Sequence, residues 1–475
     1  MMLLSEAANY MDGELLCGEE AWVASAGSDS RNIAQQELFF ALKGESFDGH
    51  AYAQQALKQG ACAVVISDKA CNARPAILVK DTVLALGDLA KSWRIGFTLP
   101  VIAITGSNGK TTVKEMLTNI LEAASNQPNA VLATVGNLNN HIGMPITLLK
   151  IRKQHAYAVI EMGMNHLGEI DYLTRIAQPT IAVINNAGTA HIGELGSRDN
   201  IAKAKGEIFA GLGDDGVAVI NADDDYVDYW KSLNAGKKII TFGLNKAADI
   251  SATYDEQAGA KEQKQTQVKL STPTGSVTFN LAVLGKHNIS NALAASAAAV
   301  ALGISNQDIA RGLGNMQAVY GRLQRRAGFN GAVLIDDTYN ANPDSMKAAI
   351  DVLAAHQNSI FVMGDMAELG ENASQMHADI GLYAKQKGIE QFYTFGDLSA
   401  KACDLFGQNA AHFSNLESLV SALKNQMKQG VTVLVKGSRS MQMERVVKQI
   451  LEKASEEASK KVIDEKIERE KTQCY

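Results

Sequence analysis

The stretch VIAITGSNGKTT, residues 101–112, constrains this chain more than any other. Val101 to Ile104 read as a short buried strand, apolar and partly β-branched. Thr105-Gly106-Ser107-Asn108-Gly109 is a tight turn of small residues, and Lys110-Thr111-Thr112 opens a helix. Met116, Leu117, Ile120 and Leu121 fall on one face of that helix. A strand, a glycine turn, Lys-Thr and a helix are the parts of a phosphate grip. Glycines let backbone N–H groups turn toward phosphate oxygens, and the helix N-terminus adds its positive dipole end. Lys110 brings a cation, and the Thr111 hydroxyl can sit on Mg²⁺. Residues Gly106 to Thr112 are therefore candidate nucleotide ligands. The general pattern G-x-x-x-x-G-K-[ST] asks for glycine where this chain has Ile104, so an ordinary Gly-rich strand–helix turn is the competing reading.

The bulk numbers bound what surrounds this loop. The 475 residues suffice for about three domains. A net charge of −6 argues against a general nucleic-acid binder, so an anionic substrate needs a local basic pocket. Five scattered cysteines (Cys17, Cys62, Cys71, Cys403, Cys474), with no C-x-x-C, suit a reducing cytosol and no structural zinc site. The first residues, MMLLSEAANYMDGE, lack the basic flank and apolar run of a signal peptide. The longest apolar segment, Ala292–Leu302, is too short to span a bilayer. A cytoplasmic protein without a membrane span is expected, and a monomer.

Strand and helix patterns alternate along the chain, which predicts an α/β fold in three parts. Residues 1–97 read as a small α/β unit with strands at 37–42, 63–67 and 76–79. Helices are expected at 50–59, stopped by Gly60, and at 83–93. Residues 98–317 carry strands at 101–105, 157–161, 181–185, 216–220 and 239–242, the pattern of a mostly parallel, doubly wound sheet. Residues 250–284 look like β excursions, before a long Ala-rich helix to about Leu302. Residues 318–475 form a third α/β unit with strands at 332–335, 360–363, 391–395 and 431–435. It ends in a charged tail from about 456, read as a solvated helix or frayed end.

Ligands of such sheets bind at the carboxyl ends of strands, so polar residues there are candidates. Glu161 ends the 157–161 strand and can complete a Mg²⁺ shell begun by Thr111 and phosphate oxygens. Its alternative is a strand-end turn acid. His191 and Lys205 read by default as a structural histidine and a solvated lysine. Asn288 and Asn291 share a helix face and can read an adenine edge or serve an N-terminal cap. Arg322 follows a domain boundary, where a cation can be delivered to phosphoryl charge. Lys436-Gly437-Ser438-Arg439-Ser440 can hold a carboxylate or phosphate, or be a basic turn. Near the start, Asp29-Ser30-Arg31 and residues 44–50 are polar clusters that turn chemistry alone would explain.

Taken together, these stretches resemble the Mur ligase family over nearly the whole chain. The shorter loop T-G-S-N-G-K-T-T is the family's version, which accounts for Ile104. Glu161 in EMGMN, His191 in NAGTAHIGELGS, Asn288 in GKHNISNALAA, Arg322 in YGR and Asp337 in DDTYNANP match its signature positions in order. GDMAELG (364–370), LVKGSRSMQME (434–444) and DSR with FFALKGESFDGHAY resemble the branch that adds D-alanyl-D-alanine to UDP-N-acetylmuramoyl-tripeptide. The resemblance implies an N-terminal UDP-sugar domain, a central P-loop ATPase and a C-terminal Rossmann-like domain. It implies an ATP-dependent amide ligation through an acyl phosphate, in peptidoglycan synthesis.

The resemblance also assigns roles. Lys110 would act on the γ-phosphate. Thr111 and Glu161 would hold one Mg²⁺, His191 and a carbamylated Lys205 a second. Asn288 and Asn291 would contact adenine. Arg322 would lie near the phosphates, with Asp337 and Tyr339 near the nucleotide. Ser30, Arg31 and residues 46–50 (Phe47, Asp48, Gly49 and His50 among them) would bind the UDP moiety. Asn139 and Asn140 would lie along the substrate path, and Asp365, Lys436 and Ser438 would face the dipeptide. Another Mur-type or folylpolyglutamate-type ligase is the nearest rival, and a regulatory P-loop ATPase a more distant one.

Overall fold

The computed structural model describes residues 1–16, 20–44, 47–125, 127–255 and 266–451. The readings that touch Cys17, Ser46, Cys474 and the charged tail lie outside these residues.

Four apolar runs, β-branched at most positions, build the middle of the molecule. They are part of a six-stranded, all-parallel sheet of β1 (Val101–Thr105), β2 (Val131–Ala133), β3 (Tyr157–Glu161), β4 (Ile181–Ile184), β5 (Val217–Asn221) and β6 (Lys238–Phe242). The strand order is β6-β5-β4-β1-β3-β2. Strands β1, β4 and β5 are buried at every position, as a sheet covered on both faces requires. On one face lie the helix α1 (Lys110–Ser125) and the Ala-rich helix α2 (Lys286–Ala301). The small residues of α2 let the two helices and the sheet approach closely. Truncating one of their buried contacts, as in Leu117→Ala, costs about 2–5 kcal/mol. The chain leaves and re-enters this face through a three-stranded antiparallel sheet between Ser251 and Leu281, the predicted excursion.

The N-terminal residues form a five-stranded sheet in the order Glu14–Leu16, Ala76–Leu78, Ala63–Ile66, Glu37–Phe40, Ser25–Gly27. Its helix Thr82–Ile95 packs on the central unit, and one apolar core runs from Met2 and Leu4 through Leu89 to Ile160 and Trp230. Polar contacts fasten the same seam. Trp93 Nε1 donates to the Ile151 carbonyl (3.1 Å), and Arg94 Nε to the Ala177 carbonyl (3.0 Å).

The C-terminal part holds a second six-stranded sheet of β7 (Gln324–Ala327), β8 (Val333–Asp337), β9 (Ser359–Gly364), β10 (Gln391–Phe395), β11 (Ala410–Phe413) and β12 (Thr432–Lys436). Its order is β7-β8-β12-β9-β10-β11, parallel except for the edge strand β7. Helix α3 (Pro343–Ala354) follows β8. Its start is set by Asn342, whose side chain accepts from the Ser345 N–H, and by Pro343 in the first turn. Among the described residues no helix is long and apolar enough to cross a membrane.

Candidate active site

The carboxyl ends of the two six-stranded sheets open into one cavity of about 1540 Å³. The first sheet contributes the loops after β1, β2, β3, β4 and β5, around the point where the strand order reverses beside β1. The second contributes the loops after β8, β9 and β12.

At the phosphate loop, Gly106 and Gly109 have φ of +158° and +80°. A Cβ on Gly109 would collide with Asn291 and Asn185, so this turn needs glycine for space as well as for conformation. Lys110 Nζ folds back to donate to the Gly106 carbonyl (2.6 Å). Burial lowers its pKa, and the Glu161 carboxylate opposes that shift. The Thr111 hydroxyl donates to Glu161 Oε2 (2.8 Å), and Asn139 Nδ2 donates to Glu161 Oε1 (2.8 Å). From the other sheet, Arg322 Nη2 donates to Thr111 Oγ1 (2.8 Å), while its guanidinium lies over the Tyr339 ring, 4.2 Å from the centroid. Arg322 Nε is buried without a hydrogen-bond partner among the described residues. This donor beside the phosphate loop suits an incoming anion.

Asp337 joins the same junction. Its Oδ1 accepts from the Leu323 N–H (3.0 Å), and its Oδ2 pairs with Lys436 Nζ at 2.6 Å. Lys436 also donates to the Asn340 carbonyl (2.9 Å). Ser438 lines the cavity, and its hydroxyl accepts from the Ala367 N–H (2.7 Å). His191 reaches the cavity from the loop after β4, with φ of +63° and its Nδ1 2.7 Å from Glu368 Oε2.

Lys205 lies beneath this surface. It is 2% exposed and does not line the cavity, and its Nζ makes no hydrogen bond or ion pair among the described residues. Burial pushes its pKa well below the ordinary lysine value. The nearby Lys110 adds to that, and Asp224 opposes it. The default expectation of a solvated lysine is thus overturned. CO₂ uptake requires an uncharged amine, and burial favours that form here.

A cation fits as well. Among the described residues no cluster of three or more His, Cys, Asp and Glu forms a ready cage. Glu161 and the Thr111 hydroxyl still offer hard oxygen donors facing the cavity. A Mg²⁺ with few protein ligands completes its shell with phosphate oxygens and water.

One expectation needs correction, and the structure places the remaining residues as follows. Asp365 does not line the cavity. Its carboxylate accepts from the Leu398 and Ser399 N–H groups (3.2 and 2.7 Å) and so anchors the start of the helix Ser399–Phe406. Asn291 uses both ends of its amide internally, Oδ1 toward Asn185 (2.8 Å) and Nδ2 toward Asn288 (2.9 Å). Asn288 donates to the Leu284 carbonyl (2.6 Å). Both line the cavity, but in this arrangement they brace the loop. Asn140 lines it too, its side chain accepting from the Ile142 and Gly143 N–H groups. Ser30, Arg31 and residues 47–50 sit on the N-terminal unit, away from the cavity lining. There Arg31 pairs with Asp29 through two 2.8 Å contacts, and His50 Nδ1 lies 2.6 Å from Asp48.

Several residues that shape this site have no role assigned from the sequence. Asn186 Oδ1 accepts from the Asn108 N–H (2.9 Å), and Asn185 Nδ2 donates to the Asn108 carbonyl (2.8 Å). Paired asparagines at a strand end were the available signal. Lys114, 2% exposed on α1, donates to the Thr134 carbonyl (2.6 Å), while Thr134 Oγ1 accepts from the Glu161 N–H (2.9 Å). No local pattern marks that strut.

Comparison with known proteins agrees with this architecture. Three family models match in chain order: "Mur ligase family, catalytic domain" at 23–94, "Mur ligase middle domain" at 104–299 and "Mur ligase, glutamate ligase domain" at 321–439. The chain is 40% identical over 456 residues to the UDP-N-acetylmuramoyl-tripeptide--D-alanyl-D-alanine ligase of Haemophilus influenzae, covering 94% of this chain and 98% of that one. It is 41% identical over 453 residues to the Escherichia coli enzyme of the same name, with the same coverage. Among solved structures, MurF from Acinetobacter baumannii superposes with a TM-score of 0.86 at 36% identity, covering 94% of this chain and 98% of that one. MurF ligase from Thermotoga maritima in complex with ADP gives 0.80 at 28%, covering 92% and 99%. Full-length relatives at this identity, family models in the same order along the chain and a shared architecture agree: this chain belongs to the Mur ligase family.

Proposed function

We propose that this protein joins D-alanyl-D-alanine to UDP-N-acetylmuramoyl-tripeptide at the expense of ATP, giving the pentapeptide precursor of peptidoglycan in the cytoplasm. The observation that carries this reading is the junction of Lys110, Thr111, Glu161 and Arg322. It unites a phosphate loop with an arginine from the second sheet.

The tripeptide's terminal carboxylate attacks the γ-phosphate of ATP, and ADP leaves. The amine of D-alanyl-D-alanine then attacks the acyl phosphate, and phosphate departs as the amide forms. Two anions must meet in the first step, so positive charge decides its rate. Lys110 and the unpartnered Nε of Arg322 supply it from this chain. Thr111 and Glu161 would hold one Mg²⁺, His191 and a carbamylated Lys205 a second. When bound, the ions neutralise phosphate charge. Asn288 and Asn291 support the nucleotide side through the loop they brace, with Asp337 and Tyr339 opposite. Asn139, Asn140, Lys436 and Ser438 line the route to the acceptor. Ser30, Arg31 and the cluster from Phe47 to His50 bind the UDP group. The units 1–97, 98–317 and 318–475 would then serve UDP-sugar, ATP and acceptor in turn, in a monomer.

The test is phosphate release with ATP, UDP-N-acetylmuramoyl-tripeptide and either D-alanyl-D-alanine or single amino acids. Release with the dipeptide is expected. Release only with a single amino acid would contradict the reading.

A further inference from the structure

The first turn of α3 reaches out of the C-terminal sheet and grips the central one at two points. Asn342 Nδ2 donates to Asn108 Oδ1 of the phosphate loop (2.8 Å). Asp344 Oδ2 accepts from both the N–H and the hydroxyl of Thr189 (2.7 and 2.9 Å). Thr189 lies two residues before His191, on a loop tied to the phosphate loop from within. The Gly188 N–H donates to Ser107 Oγ (2.9 Å), and the Ser107 N–H to the Asn186 carbonyl (2.9 Å).

The shape of the loop agrees with these bonds. A Cβ on Gly188 would collide with the Asp344 carboxylate. One on Gly193 would run into the Glu368 and Gly370 backbone at 2.6–2.7 Å. The Gly193 N–H also donates to the Glu368 carbonyl (3.0 Å), beside the His191–Glu368 contact. Residues 188–193 are thus held on one side by the phosphate loop and on the other by residues of the C-terminal sheet.

We propose that Asp344 and Asn342 are positioning residues for the ligation. The first turn of α3 latches the C-terminal sheet onto the phosphate loop and the 188–193 loop, and so fixes where His191 stands. Neither side chain needs to touch a reacting atom. Without the latch the ATP loop remains, but the second sheet no longer presses His191 and Arg322 into one arrangement. The inference rests on the ligase reading for its catalytic consequence and on geometry alone for its structural one.

The experiment uses the full chain with ADP and Mg²⁺, and compares wild type with Asp344→Ala, Asp344→Asn, Thr189→Val and Asn342→Ser. Asparagine at 344 keeps an oxygen that can accept from Thr189. Serine at 342 keeps a helix cap but cannot span to Asn108, which separates latching from capping. Small-angle scattering should show Asp344→Ala combined with Asn342→Ser to be more extended than wild type, with Asp344→Asn as compact as wild type. In the ligation assay Asp344→Ala should lose about 10- to 100-fold in kcat, with ATP KM changed much less, since misplacement rather than binding is lost. Asp344→Asn should recover most of that loss. Adding Thr189→Val to Asp344→Ala should cost little more, because one contact is removed from both ends. Unchanged scattering, or wild-type kcat in the extended variant, would overturn the latch. Absence of any ligation by the wild type would count against the ligase reading, while the scattering comparison would still decide the latch.

Discussion

The phosphate-loop junction and the N-terminal polar cluster were both visible as runs of small and polar residues, yet they are built in opposite ways. At the junction almost every contact is long-range. Thr111 meets Glu161 fifty residues away, Arg322 meets Thr111 across 211 residues, and Asn342 meets Asn108 across 234. In the cluster the bonds are mostly local. Arg31 pairs with Asp29, and Asp48 with His50, each two residues apart, and the Arg31 side chain is 87% exposed. A site wired through the fold has its geometry set before any ligand arrives. A site wired locally leaves its cations in water, free to exchange an internal partner for a ligand. Mutations should therefore be catastrophic in the first and graded in the second.

The largest effect is expected from Lys110→Ala, which should lower ligation at least about 10³-fold while leaving the thermal unfolding transition in place. Retained turnover would remove the loop from the chemistry. Lys205→Ala should follow closely, with a loss of about 100-fold or more. Part of the activity should return with short-chain carboxylic acids that can occupy the space of a carbamate. A fully active variant would leave Lys205 as a buried core residue only. Arg322→Lys should cost about 10- to 100-fold in kcat, because an ammonium cannot donate to Thr111, stack on Tyr339 and present a further N–H together. Steady-state kinetics would reveal whether charge alone suffices. Asn288→Ala should weaken ATP binding about tenfold and UDP-tripeptide binding less, measured by calorimetric titration. The reverse order would mean that the amide braces something other than the nucleotide loop. Arg31→Ala should be mildest. It should raise KM for the UDP substrate several-fold, leave kcat alone and barely move the thermal unfolding transition. A kcat defect there would erase the distinction between the two regions.

The same contrast explains what could be read in advance. Strands β1, β3, β4 and β5 were legible because each is a short apolar run between turn residues. The edges were not. Strand β2 is only Val131–Ala133, half-buried throughout, and β7 is the polar run Gln324–Ala327. Residue pattern carries little signal where an edge strand is very short or polar. Helices Asn306–Gly314 and Ser399–Phe406 were passed over as well, being short and interrupted by small or polar residues. Within the site, residues at strand ends were found because topology alone sends them to the cavity. Lys205 looked like a surface lysine, since nothing local tells that its helix is pressed under the site. Asp344 and Glu368 escaped because their partners are on the other sheet. Asp365 was misplaced for the converse reason: a polar strand end can serve a neighbouring helix instead of a ligand.

The central claim is that this junction aims a γ-phosphate at a peptide carboxylate. Labelling the terminal carboxylate oxygens of the tripeptide with ¹⁸O and analysing the phosphate released during ligation tests it directly. An acyl phosphate requires one labelled oxygen to pass from the carboxylate to phosphate as the amide forms. Singly labelled phosphate, in step with amide product, is the predicted result. Unlabelled phosphate alongside amide product would contradict the account.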